Sequence, residues 1–313
     1  MKVLGERRAS PAGRERSGVA PRRRSGVLRA YAGLTKPRIV TLLLITTVPS
    51  MILAERGFPS LWLVVATLIG GTVAAGGANA INQYVDRDID EVMTRTRRRP
   101  LPSRRIQPRN ALVFGLALGA SAFVWLLLTV NFLSAVLALS AFGFYVLVYS
   151  LWLKRSSPQN IVIGGAAGAV PVLVGWAAVT GRIGLPAVAL FVIVFLWTPP
   201  HFWALSLRYE RDYRAAGIPM LPVVAGRVVT TKRIVAYSVL LVVASLALYP
   251  VGHTGLLYPA GALVLGAPFI LKALHLRRTV TTSAAMSLFR YSILYLALLF
   301  LVLAIDTLVR FGL

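Results

Sequence analysis

The sequence predicts an all-α, polytopic membrane protein: a bundle of nine transmembrane helices around a central cavity, with its N-terminus on the cytoplasmic side. Three observations predict it. Of 313 residues, 57% are hydrophobic and only 14% charged, where a soluble domain carries about a quarter charged residues. Apolar runs of about 20 residues, long enough to cross the hydrocarbon core as helices, recur from end to end. Lys and Arg gather on alternate connections between those runs.

The elements follow in chain order. Residues 1–30 contain "RRASPAGRERSGVAPRRRSG", rich in Arg, Pro, Gly and Ser and poor in large apolar residues. That composition predicts a disordered, basic cytoplasmic tail. The tail has no short apolar core before a small-residue cleavage site, so it does not read as a secretory signal. It has no clear amphipathic period and holds two glutamates, unlike a mitochondrial transit peptide. Residues 31–313 then form one transmembrane domain. Its apolar spans cover 37–55, 60–82, 110–128, 132–152, 159–180, 185–207, 232–250, 254–273 and 284–308. Interior prolines such as Pro171 are tolerated where neighbouring helices re-satisfy the backbone. With the N-terminus inside, the inner connections hold thirty Lys and Arg, and the outer side holds Arg56, Arg182 and Arg310. The positive-inside rule therefore sets the orientation, in a membrane expected to be the bacterial plasma membrane.

Composition also excludes chemistries. The chain has no cysteine, so disulfides, thiolate nucleophiles and thiolate metal sites are absent. His201, His253 and His275 are too scattered to build a histidine metal cage. A net charge of +24 would suggest nucleic acid in a soluble protein. Here the basic residues follow the inner connections, so the lipid bilayer is the expected partner and nucleic acid is not.

The scarce acids carry the functional signal. Six of the ten lie in two segments: Asp86, Asp88, Asp90 and Glu91 in the first, Glu210 and Asp212 in the second. The first is "NQYVDRDIDEVMTRTRRRPLP", Asn82 to Pro102. Asn82, Asp86 and Asp90 are spaced i, i+4, i+8 and share one face of a helix. Three oxygen donors without Cys or His suit a hard cation such as Mg²⁺. Asp88 points off that face, to pair with Arg87 or Arg95 or to support the loop. The alternative is a solvated loop whose acids offset its arginines, but Asn82 lies at the end of an apolar span, where polar groups are functional by default. Arg95 and Arg99 follow the acids, and a divalent metal beside guanidinium groups is the chemistry of a diphosphate.

The second segment is "WTPPHFWALSLRYERDYRAAGIPMLPVVAGR", Trp197 to Arg227. Asp212 is its candidate metal ligand. Arg208, four residues earlier, is expected on the same face as a phosphate partner. A lone apolar-span histidine such as His201 is more often structural than a ligand. The two segments follow spans 2 and 6, a register that suggests two related halves around one cavity. Between them, Lys154 is a further candidate phosphate partner. Gly164, Gly165 and Gly168 make a small-residue face for close helix approach. Tyr145, Tyr149 and Trp152 could face a developing cation, with core packing an equal alternative for each.

These residues resemble a known family. Asn82-x-x-x-Asp86-x-x-x-Asp90 is similar to the first signature of the UbiA-type intramembrane prenyltransferase superfamily. The extension through Met93, Arg95, Thr96 and Arg99-Pro100 is narrower and resembles the protoheme IX farnesyltransferase (heme O synthase) branch. So do "NIVIGGAAGA" at 160–169, "WTPPHFWAL" at 197–205, "DYRAAGIPMLPVV" at 212–224 and "AAMSLFRYSILYLALLF" at 284–300. The superfamily's second motif is typically an Asp-x-x-x-Asp pair; here Arg208 holds the first position and only Asp212 remains, a loss the heme branch shares.

The resemblance implies a reaction in which farnesyl diphosphate, heme B and water give heme O and diphosphate, with Mg²⁺ as cofactor. It implies catalytic roles for Asp86, Asp90 and Asp212, and metal ligation by these together with Asn82. It implies diphosphate contacts from Arg95, Arg99, Lys154 and Arg208, and it makes His201 a candidate heme-binding residue. It also implies handoff of product to a heme-modifying enzyme or terminal-oxidase assembly. The rivals are a sister prenyltransferase acting on a quinone precursor or chlorophyll-type acceptor, and an ion-coupled transporter. Transporter acids usually sit near the membrane midplane, whereas these lie at span ends.

Overall fold

The structure, a computed structural model, describes residues 24–312, without the side chains of 24, 25 and 38–44. The expected basic tail lies outside the described residues as far as residue 23. Residues 24–30 belong instead to a helix, α1 (Arg24–Thr35). It forms because one side packs: Ala30 and Leu34 are buried with Ala80, Leu101, Ile106 and Ala111, and Tyr31 meets Phe114 edge-on at 5.0 Å.

The remaining elements are α2 (Pro37–Glu55), α3 (Leu61–Val85), α4 (Arg87–Val92), α5 (Pro108–Thr129), α6 (Phe132–Ser156) and α7 (Asn160–Thr180). They continue as α8 (Leu185–Arg208), α9 (Glu210–Ala215), α10 (Leu221–Val224), α11 (Gly226–Gly252), α12 (Leu257–Thr279) and α13 (Thr282–Phe311). Among the described residues, eight helices are long and apolar enough to cross a membrane. They correspond to eight of the nine expected spans. The first expected span, 37–55, is helix α2, whose described side chains make the shorter apolar stretch Ile45–Glu55.

Local chemistry starts each helix. Ser60, Asn131 and Thr281 cap α3, α6 and α13 by accepting from Leu63, Ser134 and Ala284 N–H groups. Pro37 and Pro108 open α2 and α5, where a missing N–H costs nothing. Successive spans are neighbours, and α13 returns to α2, so the bundle closes on itself, with α2 also against α7 and α8 against α13. Backbones meet where side chains are small: a Cβ on Gly77 of α3 would lie 2.7 Å from the Gly115 carbonyl of α5. Trp203, Phe269 and Tyr295 anchor the core between α8, α12 and α13, while Leu128, Leu147, Val264 and Val309 face outward as a lipid-facing belt. Trp152 is 63% exposed and joins that belt. It therefore does not turn toward Tyr145 and Tyr149.

Candidate active site

The site begins where α3 runs out. Asp86 leaves helical geometry at φ −87°, ψ 8°, yet the hydrogen bonding continues. Asp86 N–H donates to Asn82 O at 2.9 Å, and Asp90 N–H to Asp86 O at 2.8 Å. The i, i+4, i+8 face therefore survives the junction. Asn82, Asp86 and Asp90 are 3%, 0% and 2% exposed, burial that charged groups tolerate only when paired.

Three cations pair them. Lys36 Nζ donates to Asn82 Oδ1 at 2.8 Å. Lys154 Nζ donates to Asp86 Oδ2. Arg99 Nη1 bridges both Asp90 oxygens at 3.0 and 2.8 Å. Asn82 Nδ2 also donates to Asp86 Oδ2 at 2.8 Å and to Ser150 Oγ at 3.0 Å. Asp86 Oδ1 is buried and has no hydrogen-bond partner. An orphaned carboxylate oxygen amid hard oxygen donors fits a hard divalent cation.

Lys36 was not singled out by its sequence context. The turn between α1 and α2 brings it in, and two amides hold that turn. Gln83 Nε2 donates to the Gly33 and Leu34 carbonyls, at 3.1 and 2.9 Å, and Asn79 Nδ2 to the Thr35 carbonyl at 3.3 Å. They satisfy the open carbonyls at the end of α1. Lys36 then takes a left-handed φ of 51° before Pro37. Burial, with the nearby charges of Arg99 and Lys154, lowers its pKa from 10.5 to about 7, against the opposing pull of Asp86 and Asp90. The available signal was a lone Lys-Pro pair at the same end of a span as the acids.

Asp88 pairs with neither Arg87 nor Arg95. Arg155, at the end of α6, grips it at 2.7 and 2.8 Å, and Arg87 instead donates to the Tyr84 carbonyl. The Arg155 hydrogen bond holds the Asp88 carboxyl down to about 2. The pair is largely exposed, so it contributes less than ~1 kcal/mol to stability.

The second acidic segment docks on the first. Thr94 Oγ1 donates to Asp212 Oδ2 at 2.5 Å. Arg95 lies 5.7 Å over the Tyr209 ring and beside Tyr213, whose hydroxyl burial pushes up in pKa while Arg95 opposes the shift. Among the described residues, however, no three carboxylate or imidazole groups converge as a metal cluster. Asp212 is joined to the first segment through Thr94. Arg208 and Asp212 fall on separate helices. Tyr209, at φ −105° and ψ 23°, ends α8, and α9 restarts at Glu210. Glu210 pairs with Arg214 at 3.0 Å and Arg227 at 3.3 Å.

Lys154 and Ser150 reach the acids because α6 widens. Phe144–Leu153 is a π-helix, a distortion frequent at functional sites. Ser150 Oγ donates to the Tyr145 carbonyl at 2.8 Å. Tyr145 and Tyr149 stack at 5.3 Å on this segment. Gly164 makes room for Tyr149, since a Cβ there would lie 2.3 Å from the ring, and Gly165 makes room for Thr198. Gly168 faces open space, so only two of the three expected glycines serve close approach.

His201 lies deeper on α8, 8% exposed. It stacks on Trp197 at 4.3 Å and Phe289 at 4.6 Å, and its Nδ1 lies 2.7 Å from Ser292 Oγ. The Ser292 hydroxyl already donates to the Phe289 carbonyl at 2.7 Å. With its one proton on the Phe289 carbonyl, the Ser292 hydroxyl accepts at His201. Nδ1 then carries the imidazole proton and Nε2 the free lone pair.

A closed helical membrane bundle with a buried cluster of acids and cations at one end defines a membrane-embedded enzyme. The model of the UbiA prenyltransferase family matches residues 43–304, and the chain belongs to that family: it is a prenyltransferase. It is 56% identical over 285 residues to protoheme IX farnesyltransferase of Frankia alni, covering 90% of this chain and 99% of that one. It is 52% identical over 303 residues to protoheme IX farnesyltransferase 1 of Saccharopolyspora erythraea, covering 96% of each. Its fold is similar to digeranylgeranylglyceryl phosphate synthase, with TM-score 0.75 and 20% identity over 90% of this chain and 98% of that one. It is also similar to a UbiA homolog from Archaeoglobus fulgidus bound to GPP and Mg²⁺, with TM-score 0.61 and 19% identity over 88% of this chain and 99% of that one.

Proposed function

We propose that this chain transfers the farnesyl group of farnesyl diphosphate to a vinyl group of heme B, with addition of water, giving heme O and diphosphate. The observation that carries the reading is the convergence of Lys36, Lys154 and Arg99 on Asn82, Asp86 and Asp90. That is a site for a metal-assisted diphosphate leaving group. The relatives' activity supports heme as the acceptor.

Asn82, Asp86 and Asp90 would hold Mg²⁺, which when bound supplies charge neutralisation on the departing diphosphate. Asp212, tied to Thr94, serves the same end of the site from the second segment. Lys36, Lys154, Arg95 and Arg99 bind the phosphate oxygens and stabilise the charge that develops as the allylic C–O bond breaks. The electron pair of that bond leaves with the diphosphate. The stacked Tyr145 and Tyr149 offer π faces to the allylic cation. The terminal vinyl carbon of heme bonds to that cation, and the positive charge passes to the inner vinyl carbon. Water adds there and loses a proton, leaving a hydroxyl. The apolar bundle wall keeps water away until that step.

His201 holds the acceptor, through Nε2 on the iron or through packing against the porphyrin. The inner-facing basic connections support a bacterial plasma membrane location with the site toward the cytoplasm. The residues before α1 serve as a basic appendage, α1 itself packs on the catalytic domain, and the product passes to a heme-modifying enzyme or oxidase assembly.

The test uses the full chain in lipid nanodiscs with farnesyl diphosphate, Mg²⁺ and heme B, read by mass spectrometry. The expected product is heme carrying one farnesyl group and one added water. Prenylation of a quinone-precursor aromatic acid, with heme untouched, would overturn the reading.

A further inference from the structure

Resting on the proposed heme acceptor, we infer that Arg208 and Arg290 form a carboxylate pocket that receives the two propionate groups of the porphyrin. Arg208 ends α8, and Arg290 lies in the third turn of α13. They line one open recess of about 270 Å³ with Thr282, Ser283 and Met286, in which both arginines, Thr282 and Ser283 are solvent-exposed. Among the described residues, neither arginine has an acid within ion-pair distance. Every lining side chain is cationic, hydroxylic or apolar, so the recess offers hydrogen-bond donors and no metal-ligating acid. That chemistry recognises a carboxylate without a bridging metal.

Position ties the pocket to the acceptor rather than to the diphosphate. Arg208 and Arg95 each lie 5.7 Å from the Tyr209 ring, but only Arg208 lines the recess with Arg290. His201 and Arg208 are seven residues apart on α8, hence on one face. Two helical turns separate them by about 10 Å, the order of the span from a porphyrin centre to its carboxylates. On α13, Arg290 follows Phe289, whose ring stacks on His201. The same two helices thus carry an imidazole and, nearer the end of the bundle, a pair of guanidinium groups with no acid among the described residues in ion-pair range. The recess is smaller than the ~300–1,000 Å³ that encloses a whole drug-sized ligand, so it suits the charged edge of a larger molecule.

The test compares heme B with its dimethyl ester as acceptors, using the full chain in nanodiscs of zwitterionic lipid. Product formation from heme B by the unmodified chain tests the proposed function by itself. Given that activity, the unmodified chain should show a KM for the ester raised about tenfold or more, as expected for lost charge-assisted hydrogen bonds. Equal KM values would overturn the pocket and leave the function standing. Arg208→Gln and Arg290→Gln should raise the KM for heme B by a similar factor and leave the KM values for the ester and for farnesyl diphosphate unchanged. A rise in the farnesyl diphosphate KM instead would return Arg208 to the leaving-group site. Equal losses with both acceptors, or recovery on adding anionic lipid, would make the arginines structural or headgroup-binding and overturn the inference.

Discussion

Asn82 and Asp86 are joined twice. The Asp86 N–H donates to the Asn82 carbonyl at 2.9 Å, and the Asn82 amide donates to Asp86 Oδ2 at 2.8 Å. The backbone bond carries helical register past the end of α3. The side-chain bond leaves Asp86 Oδ1 as the open oxygen. Asp86→Ala and Asp90→Ala are therefore expected to lower kcat by about 10³-fold or more, the scale of losing a group that stabilises transition-state charge. The protein should still elute as a folded species in detergent. Turnover within tenfold of normal at saturating Mg²⁺, for either variant, would remove these acids from the metal site. Chelation with EDTA should abolish activity, and added Mg²⁺ should restore it.

Lys36 should matter as much as the recognised basic residues. Lys36→Met keeps the stem and removes the ammonium that meets Asn82. The KM for farnesyl diphosphate should rise about 10- to 100-fold, the equivalent of ~1.5–3 kcal/mol for a charge-assisted hydrogen bond. The KM for heme B should not change. A matching loss in both would mean that Lys36 only holds the α1–α2 turn against α3.

How legible the site was depended on whether a contact is local. The spans could be read because lipid demands long apolar runs, and the Asn82–Asp86–Asp90 face could be read because i, i+4 backbone bonds still join those three residues across the junction at Asp86. Tyr209 ends α8 before Asp212, so Arg208 and Asp212 sit on separate helices, and nothing in "LRYERD" announces that junction. Lys36 meets Asn82 across 46 residues, Arg155 meets Asp88 across 67 and Thr94 meets Asp212 across 118. Such contacts are products of the fold, and helical periodicity carries no trace of them.

Two neighbouring glycines should respond oppositely. Gly164→Ala would drive a methyl into Tyr149 at 2.3 Å, and the π-helical backbone around that ring would have to give. The expected cost is ~1–3 kcal/mol, typical of overpacking, with kcat reduced as Tyr149 leaves its stack with Tyr145. Gly168→Ala meets nothing within 4 Å and should match the unmodified chain in thermal stability. Equal behaviour of the two variants would show that Tyr149 does not rest on α7 as described.

His201 offers the sharpest separation of the two substrates. When Ser292 donates to the Phe289 carbonyl and accepts at Nδ1, Nε2 is the imidazole nitrogen with a lone pair. A neutral imidazole with Nδ1 protonated is the tautomer that ligates a metal through Nε2. His201→Ala should weaken heme B binding and shift the bound heme's absorption bands, while Mg²⁺-dependent binding of farnesyl diphosphate stays within about twofold, since distant sites are nearly independent. Ser292→Ala should give a smaller shift in the same direction, because the imidazole remains but its orientation is no longer held. If affinity and spectrum are unchanged in His201→Ala, the imidazole only packs between Trp197 and Phe289, and the iron ligand lies elsewhere. If diphosphate binding collapses instead, His201 belongs to the other substrate, and the division between an acid-lined end for the diphosphate and an aromatic α8–α13 face for the porphyrin is wrong.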